Sequence, residues 1–269
     1  MSKANPTGES SAHTPPPPPR PKLYQHPIAY LKLLLIIAST FIHAGLIALL
    51  FGRLQGLKDA LLKSWGRTLS WVLGVKVTHE GVKSRAREGA IVIANHTSYA
   101  DIPVLMAHMP SVFLAKAEVS KWPVIGWAGR VVGTVFVDRS SPESREASRE
   151  LLKRRVAEGA RVLVFAEGTT TPRGEVHPLK PGMFHEAASA GLPIQLVSLE
   201  FAEDSDAWVG DDPLWPHFVR TFGRLRTRAH LHVHAEVLRG EDGHQLREEA
   251  ERWLKEQATH AAARHVKRA

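Results

Sequence analysis

Ile91-Val92-Ile93-Ala94-Asn95-His96-Thr97-Ser98-Tyr99-Ala100-Asp101 passes from a continuous apolar run into Asn-His and reaches a carboxylate five residues after the histidine. The apolar part reads as a buried strand of an α/β sheet. A histidine exchanges protons near neutral pH, and a carboxylate on one ring nitrogen fixes its tautomer and stabilises the imidazolium. On one continuous helix, residues five apart lie roughly 140° around the axis. His96 and Asp101 therefore meet only if the histidine sits in a turn and the aspartate opens the next helix. Strand ends are also where open α/β sheets hold their ligands.

Val162-Leu163-Val164-Phe165-Ala166-Glu167-Gly168-Thr169-Thr170-Thr171 repeats the pattern: a buried strand runs into a polar turn. Its glycine permits close backbone approach, and its hydroxyls and amides suit a polar or anionic group. Between the two segments, Phe113 to Lys116 and Gly133 to Arg139 each read as a strand ending in a cation. Four strand ends carrying His96 with Asp101, Lys116, Arg139 and Glu167-Gly168-Thr169 converge on one sheet edge with a basic lip.

Strands are also expected at Val75 to His79, Pro193 to Leu199 and Ala229 to Val237. A helix is expected over 142–158, with Ser141 as cap, Pro142 at its first position, Glu143 in its first turn and Gly159 at its end. A last helix is expected over 243–264. The alternation predicts an α/β domain with a mixed, largely parallel sheet flanked by helices. The domain is set at 76–240, with a C-terminal helix and basic tail over 241–269.

Upstream, Leu33 to Phe51 is nineteen residues of apolar sequence broken only by Ser39, Thr40, His43 and Gly45. As a helix it covers roughly 28 Å, just enough to cross a hydrocarbon core. It lies too far from the N-terminus for a cleavable signal. Arg53, Lys58, Lys63 and Arg67 after it slightly outweigh Arg20, Lys22 and Lys32 before it, which favours a cytoplasmic C-terminal side. Over 54–73, Leu54, Leu57, Leu61, Leu62, Trp65, Leu69, Val72 and Leu73 form one apolar stripe on a helix. That stripe fits packing on the core or lying in a membrane interface. The two segments, 28–75, read as membrane-associated helices that cross the bilayer or enter one leaflet as a hairpin. Residues 1–27 hold 8 of the 18 prolines and read as a disordered or semi-rigid tail.

The chain of 269 residues has a formal net charge of +8 and no cysteine. Without cysteine there is no disulfide scaffold and no cysteine nucleophile or ligand. Residues 1–27 carry a net +2 and residues 264–269 a net +3, leaving only +3 for the body. Charge loaded onto the ends argues against a broad nucleic-acid face and fits contact with anionic lipid.

The order of these motifs resembles the glycerophospholipid acyltransferase family, over roughly residues 28–240. Asn95, His96 and Asp101 match its first motif, Phe136, Asp138 and Arg139 its second, and Phe165, Glu167, Gly168 and Thr169 its third. Leu192-Pro193-Ile194 meets its fourth in part, with Gln195-Leu196-Val197 where a second proline is usual. The resemblance implies transfer of a fatty acyl group from acyl-CoA or acyl-acyl carrier protein, as co-substrate, to the free hydroxyl of a lysophospholipid. No cofactor or metal is implied. His96 is then the general base and Asp101 its orienting group, while Lys116, Arg139, Glu167, Gly168 and Thr169 hold the acceptor. The first expectation is 1-acyl-sn-glycerol-3-phosphate as acceptor, giving phosphatidic acid at the inner (cytoplasmic) membrane with the site facing the cytoplasm. Thr170 stands where the family carries an arginine associated with the acceptor phosphate, and Arg173 is a substitute three residues on. Glu-Gly-Thr-Thr also occurs in members resembling lyso-ornithine lipid acyltransferases, which makes that lipid the alternative. A non-catalytic membrane tether is the rival from another class.

Three other features are expected to be structural. His230, His232 and His234 alternate along one strand face without a nearby carboxylate, Arg220, Arg224, Arg226 and Arg228 form a solvated basic patch, and Trp208 to Trp215 is an interfacial loop or aromatic packing.

Overall fold

A computed structural model describes residues 19–49, 55–81 and 89–266. Most of the expected proline-rich tail, Phe51, Arg53, Leu54 and the last basic residues 267–269 lie outside the described residues. Two helices, α1 (Gln25–Leu49) and α2 (Gln55–Leu73), precede β1 (Val75–Gly81), β2 (Ala90–Ala94), α3 (Asp101–His108) and β3 (Val112–Lys116). Then follow α4 (Ile125–Val132), β4 (Val135–Val137), α5 (Pro142–Ala157), β5 (Arg161–Phe165) and α6 (Gly182–Ala190). The chain continues through β6 (Ile194–Phe201), α7 (Leu214–Phe222), β7 (Thr227–Leu238) and α8 (Gly243–Val266).

The strands form one sheet in the order β1-β7-β6-β2-β5-β3-β4. Every neighbouring pair is parallel except β6 with β7. The sheet is thus mixed and mostly parallel, as the strand–helix alternation predicts. Because β2, β3, β4 and β5 run the same way, their C-terminal ends share one edge.

The pleat sends alternate residues to opposite faces. Val92, Ala94, Leu163, Val197 and Leu199 join one core with α3, α7, Ala29 and Leu73. Ile91, Ile93, Val162, Val164, Ile194 and Leu196 join the other with α5, α6 and α8. Both faces being covered explains why β2 is apolar without alternation and β6 is buried along its whole length.

Helix α5 begins as expected: Ser141 Oγ accepts from Ser144 N at 3.0 Å, with Pro142 in the first turn. Gly133, by contrast, is no part of a strand. At φ 86° it ends α4 in the left-handed conformation, and β4 starts two residues later. The expected tail is also too long, because α1 already begins at Gln25.

Helix α1 packs on α2, α4 and α7. Its buried residues, Gln25, Ala29, Lys32, Ser39, Thr40, Ala44 and Ile47, run from one end to the other. Its opposite side leaves Leu31, Leu34, Leu35, Ile42, Leu46 and Leu49 exposed. Lys32 Nζ donates to Leu73 O at the end of α2 and to Arg224 O, both at 2.8 Å. Burial, then the nearby Arg224 charge, lowers the Lys32 pKa to about 8.

The stripe of α2 faces the protein: Leu62, Leu69, Val72 and Leu73 are buried and Trp65 Nε1 donates to Thr40 Oγ1 at 3.0 Å. Packing on the core accounts for these residues, while Leu57 of the stripe and Trp71 are exposed. Gly66 marks the closest contact, since a Cβ there would lie 2.4 Å from Ala107 N of α3.

Two surface expectations need correction. Arg220 is buried and paired with Asp212, and Arg224 is paired with Glu203 and Asp206, so only Arg226 and Arg228 are exposed. The β7 histidines do meet a carboxylate: His230 Nε2 lies 3.1 Å from Glu80 Oε2 of β1. His232 Nδ1 bonds Gln257 Oε1 at 2.6 Å, and the His234 ring meets Trp253 edge to face, so α8 covers this stripe. Trp208 and Trp215 take the packing option, against Tyr99 and against Tyr30 and Phe218 respectively.

Candidate active site

The end of β2 is tied down before the chain turns. Asn95 Nδ2 donates to Leu199 O (3.0 Å) and Glu200 Oε1 (2.8 Å), and its Oδ1 accepts from Leu199 N (2.9 Å). Only 1% exposed, Asn95 clamps β2 to β6.

His96 occupies the turn and Asp101 the first residue of α3, the arrangement that the five-residue spacing requires. His96 Nδ1 lies 2.7 Å from Asp101 Oδ2. That oxygen also accepts from Thr97 N at 2.8 Å and Ser98 N at 3.0 Å, and Oδ1 accepts from Thr97 Oγ1 at 3.3 Å. Three donors converge on one oxygen of a fully buried carboxylate at a helix N-terminus, where negative charge is favoured. The imidazole stacks on Phe165 from β5, with centroids 3.9 Å apart and planes 12° apart. With 19% of the side chain exposed and Nδ1 taken by Asp101, Nε2 is the nitrogen free to exchange a proton with a bound molecule.

The Glu167 carboxylate is buried. Oε2 accepts from His96 N at 2.7 Å, while Oε1 accepts from His177 N at 3.1 Å and Thr171 Oγ1 at 3.4 Å. Thr171 N in turn donates to His96 O at 2.8 Å. Both backbone groups of His96 are therefore held by the loop after β5. Burial raises the Glu167 carboxyl to about 7, against the opposing pull of the His96 and His177 amides.

Behind these lies Glu200, which the sequence reading passed over. Burial pushes it up to about 8, with the Gly174 amide opposing and the Asp101 charge reinforcing the rise. Its signal was available: a carboxylate inside a strand buried on both faces demands a partner.

Gly168 adopts φ 80°, and a Cβ on it would lie 2.8 Å from Arg139 Nη1. Only glycine allows both that backbone and that approach. The Arg139 guanidinium from the end of β4 thus rests directly on the turn after β5. Thr169 beside it is exposed, and Lys116 stands exposed at the end of β3. Thr170 Oγ1 is engaged by the Trp208 carbonyl. Arg173 Nε donates to Asp204 Oδ1 at 2.7 Å, and the side chain is 12% exposed.

Among the described residues no group of three or more His, Asp or Glu is arranged to hold a metal. The assembled parts are a histidine with a fixed tautomer, an accessible second nitrogen and a cationic turn next door. Such parts can take a proton from a hydroxyl and hold an anionic group beside it.

The family described as Acyltransferase matches residues 75–200. A lyso-ornithine lipid O-acyltransferase of Pseudomonas aeruginosa is 34% identical over 229 residues, covering 77% of this chain and 85% of the relative. A 1-acyl-sn-glycerol-3-phosphate acyltransferase of Neisseria gonorrhoeae is 34% identical over 117 residues, 44% of this chain and 46% of the relative. The crystal structure of the 1-acyl-sn-glycerophosphate acyltransferase from Thermotoga maritima superposes with a TM-score of 0.64 at 25% identity, covering 89% of this chain and 98% of that one. The matched residues 75–200 contain the whole His96–Asp101–Glu167 constellation, and the chain belongs to this acyltransferase family as an O-acyltransferase.

Proposed function

We propose that the chain acylates the free hydroxyl of a lyso-ornithine lipid, using acyl-CoA or acyl-acyl carrier protein as donor. His96 Nε2 takes the proton of the acceptor hydroxyl as its oxygen attacks the thioester carbonyl. The tetrahedral intermediate collapses with cleavage of the C–S bond, and the departing sulfur takes the proton from the imidazolium. The products are the ester and the free thiol. Asp101 fixes the tautomer and offsets the imidazolium charge. Glu167 serves as a positioning residue that holds the His96 backbone, and Arg139 with the Gly168-Thr169 turn meets the head group. Lys116 lies on the same edge and adds positive charge.

The observation that carries the acceptor assignment is the state of the turn at residue 170. Thr170 supplies no guanidinium and its hydroxyl is committed to Trp208. Arg173, the substitute, is turned to Asp204 through Nε, with Nη1 buried and without a hydrogen-bond partner. A bidentate arginine suits a phosphate dianion, and position 170 of this turn does not supply one. An ornithine head group offers a carboxylate of single charge, and the Pseudomonas relative supports that reading. Lyso-ornithine lipid therefore displaces 1-acyl-sn-glycerol-3-phosphate as the first acceptor, and the Thermotoga likeness keeps the latter as the comparison.

The deciding experiment offers both acceptors with labelled acyl-CoA and acyl-acyl carrier protein. Faster acylation of lyso-ornithine lipid is expected, and exclusive formation of phosphatidic acid would reverse the assignment.

The same reading places α1 in one leaflet of the cytoplasmic membrane. At about 1.5 Å per residue it spans roughly 37 Å, and is apolar enough to cross. Yet its inner side rests on the domain throughout, so a crossing would drag α2, α4 and α7 into hydrocarbon. The chain contains no cysteine, so Arg20→Cys and Lys255→Cys are clean single reporters. Both are expected to react with a membrane-impermeant maleimide from the same side of sealed vesicles. Labelling from opposite sides would establish a crossing helix.

A further inference from the structure

The basic edge contains a cation that none of the family motifs named. Lys180 Cε lies 3.6 Å from the position a Cβ on Gly168 would take, and Arg139 Nη1 lies 2.8 Å from that same position. The Lys180 backbone is fixed there, since its N–H donates to Ala166 O at 2.8 Å. Two cations from separate loops, one after β4 and one before α6, thus converge on one positive-φ glycine.

Like charges do not gather without a reason, and many of the cations elsewhere on the described surface are matched. Arg149, Lys153, Arg155, Arg173, Arg220, Arg224 and Lys255 all pair with carboxylates. Among the described residues, neither the Arg139 guanidinium nor the Lys180 ammonium has such a partner. Asp138, next to Arg139 in the chain, and Glu251, which meets the backbone of Leu179 beside Lys180, are occupied elsewhere. Asp138 Oδ1 accepts from Ser140 N at 2.9 Å and Ser140 Oγ at 2.6 Å. Glu251 accepts from Leu179 N at 2.8 Å and pairs with Lys255.

We propose that Lys180 and Arg139 form a two-cation clasp over Gly168 that holds the oxyanion of the acceptor head group. The inference rests on the acyl-transfer reading and adds the residue that makes up for the arginine missing at 170. The clasp is adjacent to Glu167, whose carboxylate holds the His96 amide. An oxyanion held on the turn therefore has its attached chain directed past the imidazole. A carboxylate and a phosphate share the required chemistry, and the two acceptors separate them.

The test is steady-state kinetics of Lys180→Ala, Lys180→Arg and the remote exposed control Lys76→Ala, with each acceptor in mixed micelles. Lys180→Ala is expected to raise the acceptor KM about tenfold while kcat and the donor KM stay within about twofold. Lys180→Arg is expected to recover most of the loss, and Lys76→Ala to behave as wild type. A rise with lyso-ornithine lipid marks the held group as a carboxylate, and a rise with 1-acyl-sn-glycerol-3-phosphate marks it as a phosphate. An acceptor KM unchanged with both lipids, or a rise in the donor KM instead, overturns the clasp and leaves the acyl-transfer reading standing. Failure of the wild type to acylate either lipid overturns the acceptor reading itself, and the clasp with it.

Discussion

His96→Ala is expected to lower kcat for acyl transfer by about 10²–10⁴-fold, the usual contribution of a positioned general base. The fold should survive. The substitution removes a ring that is partly exposed and stacked on Phe165, while the His96 backbone keeps its bonds to Glu167 and Thr171. Asp101 loses one donor of three on Oδ2 and retains the amides of Thr97 and Ser98. Turnover should therefore collapse at nearly unchanged acceptor KM and melting temperature. Activity within about tenfold of wild type in a folded variant would remove His96 from the reaction and require another group as the base.

Asp101→Asn is expected to be milder than Asp101→Ala, and the reason lies in which oxygen is crowded. Oδ2 receives two backbone N–H groups as well as His96 Nδ1. An amide must put its carbonyl oxygen there, because its NH₂ group would face two donors. The carbonyl still accepts from Nδ1–H, so the imidazole keeps the tautomer that leaves Nε2 unprotonated. What is lost is the negative charge that stabilises the imidazolium, and we expect kcat to fall about 10²-fold. Alanine removes both the charge and the tautomer lock, and a loss of about 10⁴-fold is expected. It also strands the two buried amides, at about 1–3 kcal/mol of stability. Ring ¹⁵N shifts report the tautomer directly. A Nε2-protonated ring in Asp101→Asn, or equal losses in the two variants, would show that the backbone amides do not orient the side chain.

What could be read beforehand was what obeys local rules. The strand over 90–94 stands where its five apolar residues put it, and α5 starts at the cap that Ser141, Pro142 and Glu143 announce. The meeting of His96 with Asp101 was legible because a fixed spacing and a strand-to-helix turn leave few ways for the chain to run. Helices α4, α6 and α7 were not legible, since each has only eight or nine residues and forms where tertiary packing supports it. The stripe on α2 was undecidable from pattern alone, because a core and a bilayer interface both ask for one apolar side. The deciding contact, Gly66 on α3, joins residues some forty positions apart. The hold of Glu167 on the His96 backbone was hidden for a related reason. A carboxylate in a polar turn looks ligand-facing until the His96 amide, 71 residues earlier, is found beneath it. The clamp from Asn95 to β6 bridges 104 residues and leaves no local trace.

The ammonium of Lys32 determines how this enzyme can be handled. It closes off the last carbonyl of α2 and the Arg224 carbonyl from a helix that would otherwise pass for a detachable anchor. A truncation designed to make a detergent-free enzyme would delete that donor, orphan two acceptors and uncover the Ala29 seam of the core. Swapping α1 for an unrelated apolar segment would do the same. Solubility engineering therefore has to recolour the outward side of α1, at positions such as Leu31, Leu34 and Ile42, and leave the helix in place.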